Sequence, residues 1–304
     1  MFANEKDKIS PHVNRMERNL FHSYKKLIRP NVVLMGVTNG LVGVFYAGIS
    51  LDTLLYAIIA IISIASIAAF SYGYNQLTDL EEDRINAPHR PLVTGELTVN
   101  ECKVLLAILF GLSVFPLLIT GRILAFLLML VGPVFSGVVY SKWRVKGSLI
   151  KPFFVAYGWS FVPIIAYSAV SNSLSPLFLI FVPFFLILMF LTTTMGDLRD
   201  VEGDKASQVR TLPVVFGAGA VVTNLRIYAI LNYSLLIVAI FFNLLPLDAI
   251  CGVYGGYLLV RYTMTSDVLS RQKGVKKSLA RFSWITSIGL VVGRVIGIVI
   301  GIVV

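Results

Sequence analysis

The sequence predicts an all-α integral membrane protein, a bundle of nine transmembrane helices around a lipophilic central cavity capped by cytoplasmic loops. Three observations carry this. Hydrophobic residues fill 57% of the 304 positions and charged residues only 14%, where a soluble domain carries roughly a quarter charged residues. The apolar residues fall in long runs, and about 20 in succession suffice for a helix to cross a bilayer. Strict alternation of apolar and polar residues is absent, which argues against a β-barrel and leaves helices as the way to satisfy the backbone in lipid.

Residues 1–29 form a basic segment with Lys6, Lys8, Arg15, Arg18, Lys25, Lys26 and Arg29. Val13, Met16, Leu20, Tyr24 and Leu27 recur at helical spacing, so the segment reads either as a helix lying on the membrane surface or as a disordered basic tail. It has no apolar core of the kind a cleavable signal carries. Nine apolar segments follow as one transmembrane domain, 30–304: 30–50, 54–78, 99–120, 122–141, 150–170, 175–197, 218–242, 245–263 and 281–304. The eighth is interrupted by Gly252, Gly255 and Gly256, residues that let helices pack closely.

Charge orients the bundle. The N-terminal segment and the connections 79–98, 142–149, 198–217 and 264–280 hold nearly all the Lys and Arg, whereas the opposite side has Asp52, Asp248 and Arg122. Positive residues mark the cytoplasmic side, which places the N-terminus and the acidic clusters there. Arg226 is close enough to a helix end to snorkel; Arg294 sits deep in the last segment, where a functional or ion-paired role is open. The net charge of +10 is spread over these connections, which argues against nucleic-acid binding and for anionic lipid headgroups. Cys102 and Cys251 lack paired spacing, so neither a disulfide nor a thiolate metal site is expected. His12, His22 and His89 lie outside the apolar runs, which argues against haem ligation or a histidine-rich di-iron site.

The chemistry concentrates in two places. Eight of the 16 acidic residues fall in two short stretches: Asp79, Glu81, Glu82 and Asp83, then Asp197, Asp200, Glu202 and Asp204. On a helix Asn75, Asp79 and Asp83 share one stripe, and Asp197, Asp200 and Asp204 share another. Each stripe aims several oxygen donors at one point, as a hard cation such as Mg²⁺ requires; Mg²⁺ takes one or two carboxylates and completes its shell with water and substrate phosphate. Helix capping alone is a poor account, because burying unpaired carboxylates costs several kcal/mol. Glu81, Glu82 and Glu202 point elsewhere and read as solvated residues. Arg90 and Arg210 trail the two stripes within a faint repeat, Asp83…Arg90-Pro91-Leu92…Gly95 and Asp204…Arg210…Leu212-Pro213…Gly217, whose halves run parallel. Between helices 4 and 5 the string YSKWRVKG supplies Tyr140, Lys142, Arg144 and Lys146. These cations suit a diphosphate and equally suit ordinary positive-inside charge. Tyr140 reads as an interfacial tyrosine or as a contact of the leaving group.

The strings NQLTDLEEDRINAPHRPLVTG and GDLRDVEGDKASQVRTLPVVFG resemble the UbiA superfamily of intramembrane prenyltransferases, over essentially the whole chain. The first family motif, Asn-Asp-x-x-Asp-x-x-x-Asp, corresponds to Asn75, Gln76, Asp79 and Asp83; Gln76 departs from it and resembles the variant of the homogentisate-prenylating branch. The second motif maps onto Asp197, Asp200 and Asp204. The resemblance implies that these aspartates bind Mg²⁺, two ions per site, and through it an isoprenyl diphosphate. It also matches a Tyr-x-x-x-x-x-Lys element to Tyr140 and Lys146, and an Arg-Pro that opens helix 1 to Arg29 and Pro30.

The expected reaction is Mg²⁺-dependent transfer of an isoprenyl group to a lipophilic, aromatic acceptor through an allylic cation. Asp79, Asp83, Asp200, Asp204 and Tyr140 are the expected catalytic residues. Asn75, Lys142, Lys146, Arg90, Arg210 and Arg29 are expected on the diphosphate, and Asn75, Asp79, Asp83, Asp197, Asp200 and Asp204 on the metal. The same chemistry on a glycerol-phosphate lipid is the alternative within the family. A divalent-cation or proton-coupled transporter is the alternative of another class, since intramembrane acids often mark ion pathways. Against it stand carboxylates at one face and an expected scarcity of polar residues inside the spans.

Overall fold

In hydrocarbon each backbone N–H and C=O needs a partner within the chain, and the computed structural model of this protein meets that demand with helices throughout. Residues 20–142, 148–206, 208–264 and 272–300 are described, and no strand occurs among them. From the basic segment, α1 (Leu20–Ile28) lies against the helix α3 (Leu54–Thr78) and buries Leu27. Arg29 then takes a left-handed backbone, φ 50°, and the chain turns into α2 (Pro30–Ala47), whose first residue is the proline that needs no N–H partner. After α3 come α4 (Leu80–Asn86) and α5 (Val99–Ile119). A reciprocal cap opens α5, in which the Thr98 hydroxyl accepts from Glu101 N–H and the Glu101 carboxylate accepts from Thr98 N–H.

The fourth span is one rod made of α6 (Ile123–Met129), a π-helical turn at Leu130–Val134 and α7 (Phe135–Lys142). Pro133 has no N–H to give the ladder, which locates the wide turn. The fifth is α8 (Lys151–Ser160) and α9 (Val162–Ser171), broken where Pro163 enters. Next are α10 (Phe178–Ala206), α11 (Leu212–Phe216), α12 (Ala218–Phe241), a 3₁₀ turn at Leu247–Gly252, α13 (Val253–Met264) and α14 (Gln272–Val299).

Eight helical stretches among the described residues are long and apolar enough to cross a membrane, Pro30–Ala47, Leu54–Thr78, Val99–Ile119, Ile123–Lys142, Lys151–Ser171, Phe178–Leu198, Ala218–Phe241 and Phe282–Val299. The expected span 245–263 differs: it is the 3₁₀ turn followed by the shorter α13. Pro246 precedes that turn, and the glycines do the packing that was expected of them. A Cβ at Gly256 would overlap the Tyr233 ring of α12, and one at Gly255 would meet Thr286 of α14. The count of nine is therefore approximate, and the protein is an all-helical, multi-pass integral membrane protein.

Two apolar cores hold the bundle. One gathers Leu27, Ile64, Ile67, Leu106, Leu117 and Met129 from the first half, and the other gathers Phe181, Phe184, Phe185, Leu225, Leu236 and Leu290 from the second. Helices α2 and α9 feed both, and Trp159 packs against both. At Gly43 a Cβ would fall on the Pro163 carbonyl, so the absence of a side chain there lets these two central helices touch. The spans are less apolar inside than expected. Ser287 donates to Asn39 at 2.7 Å, Tyr233 and Thr286 share a hydrogen bond of 2.6 Å, and Asn232 is fully buried. The first two bonds join α14 to α2 and to α12, while the Asn232 amide has no partner.

Arg294 belongs to a buried ion pair. Its Nη1 lies 3.2 Å from Asp248 Oδ2, and its guanidinium stands 5.4 Å from the ring centre of Tyr46. The pair ties the 3₁₀ turn to α14 on the side remote from the acidic stripes. Removing one partner leaves a buried charge unmatched, at a cost of about 3–5 kcal/mol. Arg294→Met should thus lower the unfolding temperature in detergent, and adding Asp248→Asn should restore part of the loss.

A second tie fastens α1. Ser23 Oγ donates to Glu96 at 3.1 Å and Lys26 Nζ at 2.8 Å, and the Lys26 ammonium holds the Glu96 carboxyl below the usual carboxylate range. A depressed folded value means the tie is complete above the unfolded Glu pKa of about 4.3 and is lost as pH falls through the lower, folded value. A spin label at the exposed position 21, in a background without Cys102 and Cys251, should become mobile in that acid range, and at neutral pH in Glu96→Gln.

Candidate functional site

The first stripe survives a flaw in its helix. The α-helical run stops at Asp79 and resumes as α4, yet Asp79 N–H still bonds Asn75 C=O (3.0 Å), Asp83 N–H bonds Asp79 C=O (2.8 Å) and Ala87 N–H bonds Asp83 C=O (2.9 Å). The four-residue thread keeps Asn75, Asp79 and Asp83 on one side. Asp79 and Asp83 are buried, 6% and 2% exposed. Asn75 Nδ2 donates to Asp79 Oδ2 at 3.1 Å, which leaves the buried Asn75 Oδ1 without a partner.

The second stripe lies on the unbroken α10. Asp197 is buried, Asp200 exposed and Asp204 half-buried. Lys151, the first residue of α8, places Nζ 2.5 Å from Asp197 Oδ1, and Asp197 Oδ2 is buried with no partner. Helices α8 and α10 pack along each other, which fixes this meeting.

Between the stripes lies a cavity of about 480 Å³, within the range of small-molecule sites. Arg29, Tyr72, Asn75, Gln76, Arg90, Tyr140, Lys151, Asp197 and Asp200 line its polar part; Met35, Ile64, Ile67, Trp159, Val162 and Met189 line its apolar part. Of the residues expected at the site, the structure brings Arg29, Asn75, Arg90, Tyr140, Asp197 and Asp200 to this one cavity. Asp79, Asp83, Asp204, Lys142 and Arg210 are not among its lining residues, and Lys146, with Arg144, lies outside the described residues. Glu81 and Glu202 are exposed, and Glu81 pairs with Arg84 at 3.2 Å.

Two carboxylates off the cavity act as tethers. Asp83 forms an ion pair with Arg90, seven residues on, and so aims the guanidinium at the cavity. Asp204 accepts from Thr211 Oγ1 at 3.0 Å, also seven residues on, and fixes the entry to α11. The repeat is thus structural, but its register sets Thr211, not Arg210, opposite Arg90, and Arg210 is exposed.

Sequence reasoning missed Lys151, Tyr72 and Gln76. Lys151 carried a signal: a cation in the first turn of a helix opposes the helix dipole, which calls for an anionic partner. Tyr72 lies under the Arg29 guanidinium, 5.4 Å from ring centre to Cζ, a contact of two segments that spacing does not show. Gln76 donates from Nε2 to Leu27 C=O at 2.8 Å, anchoring the end of α1, while its buried Oε1 has no partner.

A hard divalent cation fits these residues. The partnerless Asn75 Oδ1 and Asp197 Oδ2 are oxygen donors on opposite walls of one cavity. Among the described residues no three carboxylate, imidazole or thiolate groups converge closely enough to hold an ion by themselves, which suits Mg²⁺, a metal that keeps waters and takes substrate phosphates.

Comparison with known proteins bears on the family and the fold. The chain matches the UbiA prenyltransferase family over residues 37–292. The digeranylgeranylglyceryl phosphate synthase of Methanococcus vannielii is 29% identical over 241 residues, 78% of this chain and 81% of that protein. The 2-acyl-4-prenylphloroglucinol 6-prenyltransferase of Humulus lupulus is 31% identical over 183 residues, 53% of this chain and 42% of that protein. A UbiA homolog from Archaeoglobus fulgidus, solved with DMAPP and Mg²⁺, shares the fold with a TM-score of 0.64 at 21% identity, over 88% of this chain and 99% of that one.

The tether at Asp83 yields a prediction. Asp83→Asn should leave Arg90 without its anchor and weaken binding of inorganic pyrophosphate about 10- to 100-fold, the worth of one charge-assisted hydrogen bond, as measured by titration calorimetry.

Proposed function

The chain belongs to the UbiA prenyltransferase family, and we propose that it moves an isoprenyl group from an isoprenyl diphosphate to the hydroxyl of a glycerol-phosphate lipid with the help of Mg²⁺. One observation carries the reading: oxygen donors without partners from α3 and α10 share a cavity with Arg29, Arg90 and Lys151 above an apolar floor. A diphosphate and its hydrocarbon tail match those two halves.

Asn75 on one wall, backed by Asp79 through its amide, and Asp197 with Asp200 on the other would hold two divalent ions. Bound there, the ions supply Lewis-acid stabilisation of the charge that builds on the departing diphosphate. The protein's own groups do the rest. Arg29 and Arg90 bind the phosphate oxygens, with Arg90 held in place by Asp83. Tyr140 donates its hydroxyl to the leaving group. The apolar wall from Met35 to Met189 holds the prenyl chain and keeps water from the cation, and the Tyr72 ring offers that cation its negative face. Asp204 acts through Thr211, by setting the chain that follows α10. Lys and Arg at these connections favour the cytoplasmic leaflet for this end of the bundle.

The glycerol-phosphate acceptor is favoured by relatives such as the Methanococcus vannielii synthase. An aromatic acceptor is the second reading, favoured by the Humulus lupulus relative. Gln76, whose Nε2 holds Leu27 C=O while its buried Oε1 has no partner, does not decide between the two.

The test is transfer by purified protein in proteoliposomes, with labelled prenyl diphosphates offered against a prenylated glycerol phosphate and against a phloroglucinol ring. Transfer to the glycerol phosphate that EDTA abolishes is expected, and Asp79→Ala and Asp200→Ala should each lower the rate by about 10²- to 10³-fold. Full-rate transfer in EDTA, or metal flux without diphosphate binding, would overturn the reading.

A further inference from the structure

Among the described residues three cations line the cavity, and they are held in different ways. Arg90 is gripped by Asp83, which is not among the lining residues, and Arg29 rests on the Tyr72 ring. Lys151 is gripped by Asp197, which is itself a lining residue and a candidate metal ligand, at 2.5 Å. One carboxylate oxygen is satisfied by the ammonium while the other is buried with nothing to bond. A divalent ion and an ammonium cannot both take full advantage of the same buried carboxylate, because the two cations repel in a poorly screened setting.

We propose that Lys151 is a placeholder cation. It neutralises Asp197 before the divalent ion arrives, and once that ion takes the carboxylate the ammonium turns to the diphosphate. Lysine suits such an exchange: a compact charge with three donors on a flexible four-carbon stem re-aims without losing its bonding geometry, where a guanidinium fork would not. Its starting point suits it too. At the first turn of α8 the ammonium sits at the positive end of a helix, a place it leaves at no electrostatic cost as soon as another anion is offered.

The consequence is coupling. With Lys151 on Asp197, metal alone binds poorly; a diphosphate that draws the ammonium away frees the carboxylate, so each ligand raises the affinity for the other by the same factor. This rests on the prenyl diphosphate reading above. It assigns Lys151 a positioning role, distinct from a bridge that merely joins α8 to α10.

The test is Mn²⁺ binding to the full-length protein in detergent, followed by electron paramagnetic resonance with and without inorganic pyrophosphate. In the natural protein Mn²⁺ should bind weakly alone and at least about tenfold more tightly with pyrophosphate. In Lys151→Gln it should bind about tenfold more tightly alone, and the gain from pyrophosphate should shrink. A simple structural bridge predicts unchanged or weaker Mn²⁺ binding in that variant, and this result overturns the proposal while leaving the diphosphate reading intact. Natural protein that binds no pyrophosphate at all, with or without Mn²⁺, overturns both. Should Lys151→Gln fail to fold, Asp197→Asn probes the other partner. Metal-free pyrophosphate should then bind more tightly than to the natural protein, and unchanged or weaker binding overturns the exchange.

Discussion

A carboxylate at the edge of hydrocarbon must be matched, and the layout of this protein follows from how each one is. Asp83 takes Arg90, Asp204 takes Thr211, Asp197 takes Lys151 and Asp248 takes Arg294. Two of these four pairings, Lys151–Asp197 and Arg294–Asp248, join helical segments far apart in sequence and the other two close local loops, and the strength of a charge-assisted bond in a poorly solvated setting makes each a fixed point. Where the matching stops, chemistry begins. Asn75 Oδ1, Gln76 Oε1 and Asp197 Oδ2 are buried without partners and belong to residues that line one cavity, while Asp248 Oδ1 is left over beside Arg294.

The apolar framework serves that arrangement. Helices α2 and α9, in contact through Gly43, stand between the two cores and belong to both. The cavity wall therefore draws on rigid elements of each half: α3 from one core, α10 from the other, and Trp159 from the seam. Two acid-bearing helices anchored in different cores can present their oxygen atoms across an open space rather than collapse on each other. An apolar tail can then occupy the same space without displacing a core side chain.

Much of this was legible in the sequence. The apolar runs gave seven of the spans to within three residues at each end, and the last, expected over 281–304, is Phe282–Val299 within α14, because length and hydropathy are what a bilayer selects. The stripes of Asn75, Asp79 and Asp83 and of Asp197, Asp200 and Asp204 follow from helical periodicity, which the helix break at Asp79 did not disturb since the backbone bonds carried the turn across it. What stayed hidden depends on tertiary meetings. That Asp83 faces Arg90 rather than the cavity is decided by the turns at Ala87–Thr94, not by spacing. That the Gln76 amide reaches Leu27 needs α1 packed on α3. The eighth segment, 245–263, misled because proline and glycine break the regular helix there into a 3₁₀ turn and the short α13 while the stretch stays apolar. Arg294 was ambiguous because its partner Asp248 is 46 residues away and meets it only in the packed bundle.

The paired tethers have a further meaning. Each closes a loop of equal length behind an acidic helix, but one ends in a guanidinium and the other in a neutral hydroxyl. Two halves built to one plan thus differ at the single place where the plan meets the ligand. The mouth of the cavity is electrically lopsided, since the Asp83 charge is matched by Arg90 whereas the hydroxyl of Thr211 leaves the Asp204 charge in place. An anion entering such a mouth has a preferred side, and a molecule with a charged head and a long inert body would be turned end-on before its body had touched the wall.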